Sequence, residues 1–146
     1  LNILFGFQYI KSPKFRFSKS RGIFMDVKIG TDIIEVDRIK DSIEKLGEKF
    51  LNRVFTANEI AYCESKKATK YEHYAARFAG KEAVFKAISP MLKNKFSIDW
   101  TDVEILNDEQ SRPYVTFYKE ELKNVNIDLS LSHIKAYAVA TAILIL

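Results

Sequence analysis

Four features of this sequence have the residue types and spacing to do chemistry. Asp32 is an acid at the end of the apolar run 27–34, V-K-I-G-T-D-I-I, where a carboxylate either caps the next element or offers oxygen to a cation. Arg77 and Lys81 stand four apart. Like charges at that spacing cost roughly a few tenths of a kcal/mol on an isolated helix, so an anion nearby would account for them. Exposure of both to water is the alternative. Glu82 and Lys86 repeat the spacing with opposite charge, which on an exposed helix is a stabiliser worth about 0.2–0.5 kcal/mol and nothing more. His133 follows Leu129-Ser-Leu-Ser in a turn.

Together these groups fit one kind of site. Magnesium takes oxygen ligands and keeps several waters, so one or two carboxylates plus substrate phosphates commonly hold it. Asp32 and Glu82 supply two carboxylates, and the cations around them match a polyphosphate. Other chemistries find little footing. Two histidines and no G-x-S-x-G turn argue against a hydrolase triad, and five scattered glycines make no phosphate-cradling loop. The single cysteine, Cys63, has no disulfide partner in the chain and no companion ligands for zinc; its helical surroundings predict a buried, inert thiol. The residues point to a magnesium-dependent phosphate enzyme, with a small non-catalytic binding module for an acidic protein as the alternative.

The elements that must position these groups are legible in the periodicity. Residues 27–34 are rich in β-branched side chains and predict a strand. Val36, Ile39, Ile43 and Leu46 have helical spacing, and Gly47 is placed to stop the helix. A short helix is expected over 50–55. Thr56-Ala-Asn-Glu59 is a capping-box pattern opening a helix to about Ser65. Thr69-Lys-Tyr-Glu72 predicts a second capping box, at the start of a long helix over 71–88 that Ser89-Pro90 ends. Ala76, Gly80, Ala83 and Ala87 form a stripe of small side chains on that helix, which lets it lie close to a sheet. Beyond it, 102–106 and 114–118 flank a polar turn as a hairpin. The stretch 127–131 alternates and 137–146 is nearly all apolar, giving two more strands. Strand, helices, then four strands predict an α+β fold, an antiparallel sheet packed against the long helix.

The 146 residues, 47% hydrophobic and 29% charged, suit one globular domain. The formal net charge of +4 invites an acidic partner, but its location matters. Residues 1–24 carry five basic side chains and no acidic one, which leaves 18 basic and 19 acidic groups from Met25 onward, a net charge of −1. The folded body therefore gives no argument for nucleic acid. No apolar run approaches the roughly 18 residues of a membrane span. Residues 1–24 put an apolar stretch ahead of the lysines, the reverse of a secretory signal. They are read as an extension outside the fold, upstream or introduced by cloning, and the domain is expected over 25–146.

Ile29-Gly-Thr-Asp-Ile-Ile-Glu-Val-Asp-Arg-Ile39 resembles the opening motif of the holo-(acyl carrier protein) synthases, the short-chain type of 4′-phosphopantetheinyl transferase. Ala76-Arg-Phe-Ala-Gly-Lys-Glu-Ala-Val-Phe-Lys-Ala87 is similar to their second motif, whose core is K-E-A-x-x-K-A. Phe50-Leu-Asn-Arg-Val-Phe-Thr56 and Glu59-Ile-Ala-Tyr-Cys63 resemble the middle segment. Leu129-Ser-Leu-Ser-His133 with Tyr137-Ala-Val-Ala140 resembles the closing hairpin. The stretches come in order, at family spacing, from about Met25 onward. Gly80 replaces the usual alanine, the 90–98 loop lacks glycines, and Ser111-Arg-Pro113 lacks the glycine common just before the proline. The last two departures put loop shape in question.

The resemblance implies transfer of 4′-phosphopantetheine from coenzyme A to a serine of apo-acyl carrier protein, releasing adenosine 3′,5′-bisphosphate, in the cytoplasm and for fatty acid synthesis. It implies Mg2+ held by Asp32 and Glu82, Lys86 stabilising phosphate charge, and Glu82, or a water on the metal, as base toward the serine. Arg77, Lys81, Lys86 and His133 are implied contacts to coenzyme A. Arg38, Lys45 and Lys49 lie seven and four apart on one helix face. The resemblance gives Arg38 and Lys45 the docking of the acidic carrier protein. One unit per chain implies a homotrimer with sites at subunit interfaces, where His133 would face Asp32 and Glu82 of a neighbour. No nucleic acid or membrane partner is expected. A transferase acting on carrier domains of larger synthases is the alternative within the class.

Overall fold

The computed structural model describes residues 26–92 and 97–146. The expected extension over 1–24 and the centre of the 90–98 loop lie outside the described residues.

Strand β1 (Val27–Glu35) passes directly into helix α1 (Val36–Leu46), with the bounds the periodicity predicts, and Val36, Ile39 and Ile43 are its buried stripe. Gly47 ends α1 at φ +54°, a left-handed conformation glycine adopts without a steric penalty, and its N–H donates to the Ile43 carbonyl at 2.8 Å. The same glycine starts helix α2 (Glu48–Val54), two residues earlier than expected, because Glu48 suits the positive end of a helix in its first turn. Helix α3 (Ala57–Ser65) opens on the predicted capping box. Thr56 Oγ1 accepts from the Glu59 N–H at 3.2 Å, and Glu59 Oε2 accepts from the Thr56 N–H at 2.8 Å.

The second predicted box does not form. Helix α4 (Lys70–Ile88) has no side-chain cap at Thr69, whose hydroxyl donates back to the Lys66 carbonyl at 3.3 Å. Residues 67–69 are already wound as 3₁₀ helix, so Thr69 cannot take the extended backbone of an N-cap. Glu72 is thereby left for another partner.

Helix α4 is buried on every side from Tyr74 to Val84. One flank is an antiparallel sheet in which β5 (Tyr137–Ile145) lies between β1 and β4 (Ile127–His133). The hairpin of β2 (Val103–Asn107) and β3 (Pro113–Phe117) does not join that sheet but stands as a separate ladder. The α+β architecture is thus the expected one, with the four later strands shared between two sheets. At the hairpin tip Ser111 takes φ +64°, a left-handed conformation. The Asp108 carboxylate holds that turn by accepting from the N–H groups of Gln110 and Arg112, each at 2.9 Å.

The small-residue stripe is packing, as expected. A Cβ on Gly30 of β1 would stand 1.9 Å from the Ala83 carbonyl oxygen and 2.7 Å from the Ala87 nitrogen. Strand and helix therefore touch backbone to backbone at that point. Gly30, Asp32 and Ile34 face α4, across from Ala142, Ala140 and Ala138 of β5. Ile29, Thr31 and Ile33 face the other way, and that side of the sheet is open: Ile29 is 63% and Ile33 66% exposed.

Candidate active site

The Gly30 contact sets the site's geometry. Asp32 lies two residues further along the same face of β1, so it meets α4 beside Ala83 and Ala87, at Glu82 and Lys86. Lys86 Nζ donates to Asp32 Oδ1 at 2.9 Å and to the Thr31 carbonyl at 2.8 Å. Its partner is therefore the strand acid and not Glu82 on its own helix. Glu82 is only 4% exposed. Burial first, then the charge of Asp32, pushes its carboxyl up from the ordinary 4.5 to about 7, with Lys86 opposing. Burial also raises Asp32, against the hydrogen bond and charge of Lys86.

Two carboxylates thus lie around one ammonium, Asp32 bonded to it and Glu82 feeling its charge. Charge of this sign and softness of commitment suits a hard divalent cation. Among the described residues no third acid, histidine or cysteine completes a metal cage, so two carboxylates would leave the remaining positions to water and phosphate oxygens, as magnesium prefers.

Lys81 requires a correction as a coenzyme A contact. It is fully buried, with Nζ 2.7 Å from Glu59 Oε2 and donating to the carbonyls of Val54 at 2.8 Å and Trp100 at 2.9 Å. All three donors are used inside the protein. The anion that its spacing from Arg77 called for is Glu59, whose other oxygen accepts from the Ile105 N–H at 2.9 Å. Glu104, also buried, accepts from Thr56 Oγ1 at 2.5 Å and Tyr118 OH at 2.8 Å, completing a knot that ties α2, α3, α4 and β2. Sequence reasoning found Glu59 as a cap and missed its second use. The signal available was a lysine set directly after the small residues Ala79 and Gly80 in the middle of the helix.

Arg77 is likewise buried and not turned to water. Its guanidinium donates to Asn107 Oδ1 and lies 4.0 Å from the Tyr62 ring centre, while Nε is buried without a partner among the described residues. From Tyr62 a contiguous group leads to His133. His73 packs edge-on to Tyr62 at 5.7 Å and to His133 at 4.9 Å. His133 is the last residue of β4, not a turn residue, and its Nδ1 lies 3.2 Å from Glu72 Oε2. Burial first, then the neighbouring His133, Arg77 and Lys66, lower His73 to about 4. Glu72 and Glu82 are ten residues apart on α4, about 15 Å along its axis. One chain therefore keeps its histidine group and its carboxylate pair apart.

Arg38 and Lys45 are exposed on α1; Lys49 is exposed too but belongs to α2, beyond the break at Gly47, so the three do not lie on one helix as their spacing suggested, and among the described residues neither Arg38 nor Lys45 has an ion-pair partner. Cys63 is fully buried, its thiol pushed up to about 12 chiefly by burial, the inert cysteine expected. Among the described residues no helix is long and apolar enough to cross a membrane.

The chain resembles known proteins over most of its length. The family model of the 4′-phosphopantetheinyl transferase superfamily matches residues 28–142. The holo-[acyl-carrier-protein] synthase of Ruminiclostridium cellulolyticum is 49% identical over 126 residues, covering 82% of this chain and 92% of the relative. Among solved structures, the Bacillus anthracis holo-(acyl-carrier-protein) synthase in complex with CoA (3′,5′-ADP) matches with a TM-score of 0.68 and 34% identity, over 84% of this chain and 98% of that one. The Helicobacter pylori holo-[acyl-carrier-protein] synthase in complex with coenzyme A gives 0.69 and 28%, over 80% and 98%. With the site at the crossing of β1 and α4 inside the matched region, the chain belongs to the 4′-phosphopantetheinyl transferase superfamily, among the holo-[acyl-carrier-protein] synthases.

Proposed function

We propose that this chain transfers 4′-phosphopantetheine from coenzyme A to a serine of an apo-acyl carrier protein, releasing adenosine 3′,5′-bisphosphate. The observation that carries the reading is the meeting of Asp32, Glu82 and Lys86 where β1 crosses α4. The Bacillus anthracis and Helicobacter pylori relatives with coenzyme A or its nucleotide bound support the choice of donor.

Asp32 and Glu82 are the residues that would hold magnesium. When bound, the ion supplies positive charge that offsets the pyrophosphate and the leaving group. Lys86 Nζ, held by the Thr31 carbonyl and Asp32, keeps a third N–H for a phosphate oxygen. Glu82, or a water held beside it, would take the serine proton as the serine oxygen attacks phosphorus. A serine O–P bond forms, the P–O bond to the bisphosphate breaks, and the electron pair leaves with that oxygen.

Exposed, unpaired Arg38 and Lys45 on α1 suit an acidic carrier protein, whose approach their charge would speed. The assembly we propose is a homotrimer. The open sheet face, with Ile29, Ile33, Tyr137 and Ile143 exposed together, is an apolar patch of the kind that subunits cover. In such a trimer, as the resemblance implies, His133 of one subunit would face the Asp32–Glu82 pair of the next.

The test is incubation with Mg2+, coenzyme A and apo-acyl carrier protein, reading the gain of one 4′-phosphopantetheine by mass spectrometry. A carrier domain from a larger synthase is run in parallel. Asp32→Ala and Glu82→Gln are expected to fold and to lose transfer by about 100-fold or more. A well-folded Glu82→Gln with full activity, or transfer indifferent to chelation, would overturn the assignment.

A further inference from the structure

We propose that Glu72 is the positioning residue of His133: its carboxylate ties Nδ1 of the ring and fixes the edge that His133 turns to coenzyme A. The proposal rests on the reading of His133 as a coenzyme A contact.

Glu72 Oε2 is 3.2 Å from His133 Nδ1, and both side chains are partly enclosed, between the first turn of α4 and the end of β4. Among the described residues Glu72 has no other hydrogen-bond or ion-pair partner. It does not close a capping box, since Thr69 bonds elsewhere. Positions 68, 69, 75 and 76, three and four residues away on the helix, are alanine or threonine and offer it no cation. The nearby Lys70 is committed to Glu64 at 3.1 Å.

The ring is confined on a second side by His73, edge-on at 4.9 Å, which burial and neighbouring positive charge keep neutral. The two imidazole nitrogens sit on different edges, and the hydrogen bond made by one decides what the other can do. With Nδ1–H given to Glu72, Nε2 is the atom left for a ligand. Without the carboxylate the ring can turn about both side-chain bonds, and only part of the population presents Nε2 correctly.

Steady-state transfer is measured on the full chain with coenzyme A varied, at saturating Mg2+ and apo-acyl carrier protein. The variants are Glu72→Ala, Glu72→Gln, His133→Ala and the Glu72→Ala/His133→Ala pair. Glu72→Ala is expected to raise KM for coenzyme A about 3- to 10-fold, the worth of one side-chain hydrogen bond, with kcat within about two-fold. Glu72→Gln, whose amide oxygen still accepts from Nδ1–H, returns KM to within about two-fold of the parent. Removing Glu72 from His133→Ala changes KM no further, because the residue acts through the ring. Nitrogen-15 NMR of His133 shows the Nδ1-protonated tautomer in the parent and its loss in Glu72→Ala.

A Glu72→Ala effect that persists in full without His133 overturns the proposal, and so does no effect while His133→Ala raises KM. An unchanged KM in His133→Ala instead overturns the reading of His133 and takes this proposal with it. The two failures therefore leave different patterns.

Discussion

Keeping two carboxylates charged side by side in a buried recess is unfavourable, and Glu82 carries most of that burden. Its carboxyl is raised from 4.5 to about 7 in the folded chain, so between those values the folded state holds a proton that the unfolded state has lost. The metal-free fold therefore loses stability as pH rises from about 4.5 through about 7. Glu82→Gln removes that component. Thermal melts in chelator are expected to show Glu82→Gln more stable than the parent at pH 8 by a few degrees, with the gap closing toward pH 5. A gap of the same size at both pH values would deny that burial, with the charge of Asp32, raises the Glu82 carboxyl. At this scale Asp32, Glu82 and Lys86 were legible because their motifs are local. Lys81 was not, because its partner Glu59 sits on a different helix and only packing brings the two together. The Lys86 pairing was also hidden: helical spacing pointed to Glu82, and the strand acid won.

At the scale of elements, the crossing of β1 and α4 is the part on which the site depends. A methyl group at Gly30 would overlap the Ala83 carbonyl, which is backbone and cannot swing aside. Gly30→Ala is expected to force strand and helix apart, costing about 3 kcal/mol or more and lowering Tm by about 10 °C. It should also reduce magnesium-dependent transfer, because Asp32 moves with β1. Calorimetry alongside the transfer assay checks both, and an unaltered Tm would contradict the contact. The elements were largely readable from periodicity, down to the bounds of α1 and the capping box of α3. The second box was misread for a physical reason: a capping pattern specifies bonds that form only if the first residue is extended, and 3₁₀ winding before α4 denied it that shape.

For the whole molecule, the open sheet face is the feature that the sequence stated least clearly. Alternating apolar residues in β1 and β5 satisfy both sides of a strand, so the pattern alone does not say which side is the core. Nor does it say that β5 lies at the centre, or that the hairpin stands apart. Ile33→Glu puts a charge on the exposed side without touching α4. It is expected to shift sedimentation from a trimer to a monomer and to abolish transfer, while leaving the circular dichroism of the fold intact. A parent chain that sediments as a monomer at working concentration would refute the assembly.

The placement of β5 between β1 and β4 has a consequence in time. Thr31 and Thr141, neighbours across the sheet, are 110 residues apart in the chain. During synthesis β1, carrying Asp32, emerges before its hydrogen-bonding neighbour β5, which is made only after every described helix and both strands of the hairpin. Until then β1 has a bare edge and an uncovered apolar side, a condition that slows folding and exposes nascent chains to one another. The helices can form first by local contacts, so β5 acts as a latch: Asp32 is locked into place by a strand made after all the described helices.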